Sequence, residues 1–174
     1  MTRGWQFIVA LGALGCSDGP VAQAWNGVFE VQSLLRDPGC EVPTTETEPP
    51  LPFVGLGYGA DLEIDLEVLT VFWCETPTQC ITLPQANAWL DVATEEQVSG
   101  SFGEAELVAA NVCSGLYNAI EATQTPNGRL TLDIVLANPE PVTVTDEDEC
   151  AAFLEDIAAN RCDERLLIEA RRAD

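Results

Sequence analysis

Two stretches of this chain alternate apolar and polar residues at every second position. Leu62, Ile64, Leu66 and Val68 are interleaved with Glu63, Asp65 and Glu67, and Leu130, Leu132, Ile134 and Leu136 with Thr131 and Asp133. A period of two belongs to a half-buried β-strand, so each apolar set is expected on a core face and the carboxylates in a row on the other. Further strands are expected at Trp25 to Leu35, Val71 to Trp73, Ile81 to Leu83, Val98 to Phe102, Ala105 to Val112, Leu116 to Ala122 and Leu166 to Ile168. Pro126-Asn127-Gly128 has the chemistry of a hairpin turn. The run from Glu41 to Pro52, with Pro43, Pro49, Pro50 and Pro52, can be neither helix nor central strand and is expected to be an exposed loop. Gln85 to Gln97 follows neither period and is expected to be a short helical or irregular crossing.

One segment has helical spacing. Ala151, Ala152, Leu154, Ile157 and Ala158 form an apolar stripe over about 147–160, with Thr145 placed as N-cap, Asp148 three residues on and acids across the first turn, where the helix dipole favours them. The expected fold is mainly β, an antiparallel barrel or sandwich with this one C-terminal helix followed by a short last strand. With no internal repeat, residues 25–174 are expected to form a single domain.

The first fifteen residues stand apart from that pattern. Arg3 supplies their only charge, and Trp5 to Leu14 form an apolar run broken by one Gln and one Gly. This is the layout of a signal peptide, and the run is shorter than the roughly 20 residues that span a bilayer. Ala13-Leu14-Gly15-Cys16 resembles the lipobox of bacterial lipoproteins, with Ala13 and Leu14 in the opposite order to the usual one. The resemblance implies cleavage before Cys16, lipid attachment to its thiol and a short tether over 16–24. By analogy with sorting in enteric bacteria, Ser17 would direct the protein to the outer membrane. Cleavage after Ala22-Gln23-Ala24 would instead release a soluble secreted or periplasmic chain starting at Trp25.

Seven cysteines minus Cys16 leave Cys40, Cys74, Cys80, Cys113, Cys150 and Cys162, an even set suited to disulfides in an oxidising compartment. Cys74 and Cys80 bracket a turn-rich stretch and are expected to staple a hairpin. Cys150 and Cys162 bracket the helix and are the second expected pair, leaving Cys40 to Cys113. With no His and no C-x-x-C, neither a zinc site nor a thioredoxin-type motif is expected.

Charge narrows the partners. Lys is absent, and the 29 acidic residues all follow Cys16, accompanied by six Arg. Such a surface repels nucleic acid and anionic lipid alike.

The order of many hairpin strands, a helix and a short terminal strand, with Trp25-x-Gly27-x-Phe29 at its start, resembles the lipocalin and calycin barrels, although their signature has Gly before Trp. The resemblance implies an interior for a small apolar ligand, Trp25 near the closed end and a C-terminal Arg packed over it.

No catalytic constellation and no cofactor motif emerges. Gly15-Cys16-Ser17-Asp18-Gly19 matches G-x-S-x-G without a His to activate the Ser, and Gly55 to Ala60 matches a relaxed dinucleotide fingerprint but leads into a carboxylate-rich strand. Asp146 to Glu149 lacks the Gly and spacing of a calcium loop. Two function classes remain: a non-catalytic envelope module that binds a small apolar ligand or another envelope protein, and a hydrolase using a carboxylate pair.

Overall fold

A computed structural model describes residues 19–61, 66–81 and 85–173. A short helix, α1 (Pro20–Trp25), leads into β1 (Gly27–Asp37), followed by β2 (Thr45–Glu46), β3 (Phe53–Asp61), β4 (Leu66–Thr76), β5 (Gln79–Cys80) and β6 (Ala86–Ala93). Then come β7 (Gln97–Ala109), β8 (Val112–Gln124), β9 (Arg129–Ala137), β10 (Val142–Thr143), α2 (Glu147–Asn160) and β11 (Glu164–Arg172). The eight long strands form an antiparallel meander that closes on itself: β8 pairs with β9, β9 with β11, and β11 with β1 through Leu34↔Ile168 and Asp37↔Arg165. The fold is therefore a closed barrel and not a sandwich.

Closure follows from one-sided burial. Phe29, Val54, Leu69, Val71, Leu132, Ile134 and Ile168 belong to one buried cluster inside the barrel. Burying each such side chain contributes about 1.5–3 kcal/mol. Residues that alternate with the inward positions of β8, β9 and β11, namely Glu121, Thr123, Arg129, Thr131, Glu169 and Arg171, are exposed on the outer wall. This apolar-in, polar-out arrangement is the reverse of a lipid-spanning barrel. Among the described residues no helix is long and apolar enough to cross a membrane.

The first alternating stretch behaves differently from the second. Leu130, Leu132 and Ile134 are buried as their pattern predicts. On β4 the parity is reversed: Leu69, Val71 and Trp73 are buried, whereas Leu66 is 41 % exposed. The ladder with β3 sets this register, aligning Tyr58↔Leu69, Leu56↔Val71 and Val54↔Trp73 so that three apolar pairs meet inside. A shift by one position exchanges the two faces of a strand. Leu62, Glu63, Ile64 and Asp65 lie outside the described residues.

Other boundaries also move. Trp25 ends α1 instead of opening a strand, and α1 takes up most of the expected tether. Gln85–Gln97 contains the strand β6, whose inner positions are the small residues Ala86 and Ala88. The two strands expected at 98–112 are one, β7, paired with β8 from Gln97↔Thr123 to Ala109↔Val112. The Gly55–Ala60 run lies within β3.

Helix α2 is capped by Asp146 and not Thr145. The Asp146 carboxylate accepts from the Glu149 N–H at 3.0 Å, and the Glu149 carboxylate accepts from the Thr145 N–H at 2.7 Å, a reciprocal capping pair. The helix lies on the outer wall over β7 and β8, where Phe153 and Ile157 pack with Cys113, Ala137 and Val144. Gly115 permits that approach, since a Cβ there would lie 2.7 Å from Ile157 Cδ1.

Three disulfides staple the barrel: Cys74–Cys80, Cys40–Cys162 and Cys113–Cys150. The first closes the β4–β5 hairpin, as its spacing suggests. The expected Cys150–Cys162 and Cys40–Cys113 pairs are not formed, because α2 carries Cys150 and Asn160 about 15 Å apart along its axis, far beyond the reach of a bridge. Cys150 instead faces Cys113 on β8 beneath the helix. Cys162, at the start of β11, meets Cys40 just beyond the end of β1, the strand beside it.

Candidate functional site at the plugged end of the barrel

One end of the barrel gathers the start of β1, the β6–β7 and β8–β9 turns and the end of β11. Helix α1 seals it. Trp25 is fully buried, and its indole N–H donates to the Thr94 carbonyl at 2.5 Å. Asn26 caps the helix through its backbone N–H, which donates to the Ala22 carbonyl at 2.9 Å, while its side-chain oxygen accepts from the Tyr58 N–H at 2.7 Å. Arg172 closes the arrangement from the other terminus. Its guanidinium donates to the Ala24 carbonyl at 2.5 Å and lies over the Phe29 ring, 5.1 Å from the centroid. The lipocalin resemblance implies such an arginine, but it covers Phe29 and binds the helix that ends in Trp25, instead of stacking on Trp25 itself.

Inside this end, the Tyr58 hydroxyl is buried with no partner in hydrogen-bond geometry. Burial, with a smaller contribution from the nearby Glu67 carboxylate, pushes its pKa well above the ordinary tyrosine value. Glu67 is exposed, as expected, although it shares the parity of the buried Leu69, Val71 and Trp73 on β4.

Two grooves open on the outside of the same end. One, of about 570 Å³, runs past Gln23, Glu95, Thr125, Asn127, Arg171 and Arg172. The other, of about 510 Å³, lies between Gln32, Thr123, Arg129, Thr131, Glu169 and Arg171. The β8–β9 turn separates them, with Gly128 at φ 76°, the left-handed conformation that the Asn-Gly sequence supplies. The ladder places Arg129 directly opposite Arg171.

A third, shallower groove of about 340 Å³ crosses the outer wall and holds the carboxylates Asp91, Glu121 and Asp133. There Arg165 grips Asp133 through two bonds, Nε at 2.9 Å and Nη2 at 2.6 Å. The first effect of this grip is to raise the Arg165 pKa. Both oxygens of the Asp133 carboxylate thus accept a charge-assisted bond from the one guanidinium.

Of the residues singled out from the sequence, Cys16 lies outside the described residues and the other six cysteines are consumed in bridges. Among the described residues no group of three or more acidic or cysteine side chains is placed to hold a metal ion. Of the arginines at the plugged end, Arg129 and Arg171 were missed. Their signal is compositional: three of the six Arg after Cys16 lie at 129, 171 and 172, but only the β9–β11 register brings the first to the other two. No protein-family model, curated protein or solved structure matches the chain.

Proposed function

We propose that the chain is an exported bacterial envelope protein, held at a membrane by a lipid on Cys16, whose barrel serves a non-catalytic binding or interaction role. Three disulfides indicate an oxidising, extracytoplasmic compartment. The observation that carries the choice of anchor is the integration of α1 into the fold. Cleavage after Ala24 would remove five of the six helix residues, including buried Ala22, and would cut the chain at the carbonyl that receives Arg172. Cleavage before Cys16 keeps all of them and leaves only residues 17–19 between the lipid and the helix.

In this reading the plugged end faces the membrane. The interior is packed with aromatic and aliphatic side chains, which favours the outer wall and its grooves over an internal apolar ligand as the binding surface. Intact-mass measurement of the envelope fraction tests the anchor. A mature chain starting at an acylated Cys16, and release of Cys16→Ser into the soluble fraction, are expected; a mature terminus at Trp25 overturns it.

A further inference from the structure

We infer that the groove between the β8–β9 hairpin and the end of β11 is an oxyanion site in which Arg129 and Arg171 together hold a phosphate-type group. The argument begins with how the described arginines are used. Arg36 pairs with Glu164, Arg161 with Asp156 and Arg165 with Asp133. Arg172 is committed to Phe29 and the Ala24 carbonyl. Arg129 and Arg171 remain, and neither has an ion-pair partner among the described residues. Of the six described arginines three pair with a carboxylate, Arg172 takes a carbonyl and a ring, and Arg129 and Arg171 alone have neither.

Their placement sharpens the point. They are cross-strand partners on the outer wall, and like charges directly opposite one another destabilise a ladder unless something lies between them. Carboxylates are at hand: Glu30 is the neighbour of Arg171 on β1, and Glu169 lies two positions before it on the same face. Neither closes an ion pair. Both arginines line the 510 Å³ groove, whose other polar walls are Gln32, Thr123, Thr125, Asn127, Thr131 and the single carboxylate of Glu169, so two positive charges face one negative. Two guanidinium forks beside hydroxyl and amide donors offer the chemistry a phosphate takes, since it accepts several charge-assisted hydrogen bonds at once. The acidic remainder of the surface opposes long-range attraction of any anion, but at physiological salt that field fades over about 8 Å, so contacts within the groove decide.

A phosphate could come from free solute or from a lipid headgroup at the end to which α1 leads. The full mature chain in detergent, followed through its arginine side-chain N–H resonances, would be titrated with inorganic phosphate at constant ionic strength. In parallel, binding to phosphatidylcholine vesicles with and without phosphatidylglycerol would be measured. Saturable shifts at Arg129 and Arg171 with phosphate, weakened about tenfold or more in Arg129→Gln and Arg171→Gln but not in Arg161→Gln, support a free oxyanion site. Vesicle binding that requires both phosphatidylglycerol and these two arginines, without saturation by free phosphate, supports the same site with a headgroup as its ligand. Equal response to chloride, insensitivity to both substitutions, or no response to either probe overturns the inference. Measured in Cys16→Ser as well, the phosphate titration stands or falls independently of the lipid anchor.

Discussion

Arg172 and Phe29 tie the two ends of the chain together, the guanidinium lying over the ring while it holds the Ala24 carbonyl. A cation over an aromatic face and a charged hydrogen bond each contribute about 1 kcal/mol or more. Arg172→Gln is therefore expected to lower stability by about 1–2 kcal/mol in denaturant titration. The Trp25 indole proton should exchange faster than in the parent chain. Unchanged exchange would show that α1 holds its place without the arginine.

The disulfides should differ in worth according to the chain they enclose. Cys113–Cys150 spans 37 residues and Cys74–Cys80 only 6. Loop-closure entropy gives about 4 kcal/mol for the first and about 2 kcal/mol for the second. Paired Cys→Ala variants, compared by urea unfolding, are expected to rank in that order. A larger loss from the Cys74–Cys80 pair would mean that the hairpin contributes native contacts beyond its loop.

Tyr58 makes a prediction of opposite sign. Its hydroxyl is buried and unpartnered, and an unsatisfied polar group costs about 1–3 kcal/mol. Tyr58→Phe should be neutral or more stable by about 1 kcal/mol. The pH dependence follows from the raised pKa. Between the unfolded tyrosine value, about 10, and the higher folded one, the folded state holds a proton that the unfolded state has lost, so stability falls as pH rises. Spectrophotometric titration should show one of the two tyrosines ionising only as the fold is lost, and that step should vanish in Tyr58→Phe.

Gly100 offers the sharpest steric test. A Cβ there would lie 2.0 Å from the Trp89 carbonyl oxygen and 2.8 Å from Leu90 Cα, both backbone atoms that cannot swing aside. Gly100→Ala is expected to cost roughly 3 kcal/mol or more, with β6 and β7 forced apart. Wild-type thermal stability in this variant would contradict the close approach of the two strands.

What the sequence made legible depended on whether a local rule had a competitor. Leu130, Leu132 and Ile134 alternate beside an Asn-Gly turn with nothing to contradict them, and α2 announces itself by its acidic first turn. Along β4, apolar residues occupy both parities from Leu66 to Trp73, and only the ladder with β3 selects Leu69, Val71 and Trp73 for the interior. Strand β6 was hidden because Ala86 and Ala88 are small enough to be buried without a strong hydrophobic signal. The bridge expected across α2 conflicted with the helix itself, whose rise forbids it. The arginine pair had no local signal, because Arg129 and Arg171 meet through a pairing 42 positions apart in the chain.

The closing seam between β1 and β11 joins residue 29 to residue 172. Until β11 is in place β1 has no partner on that side, and β9 likewise presents a bare edge. The intermediate is an unclosed sheet, in which Cys40 has no Cys162 to oxidise with. Closure of the barrel thus waits on strands more than 120 residues apart in sequence, which makes the seam its most non-local pairing.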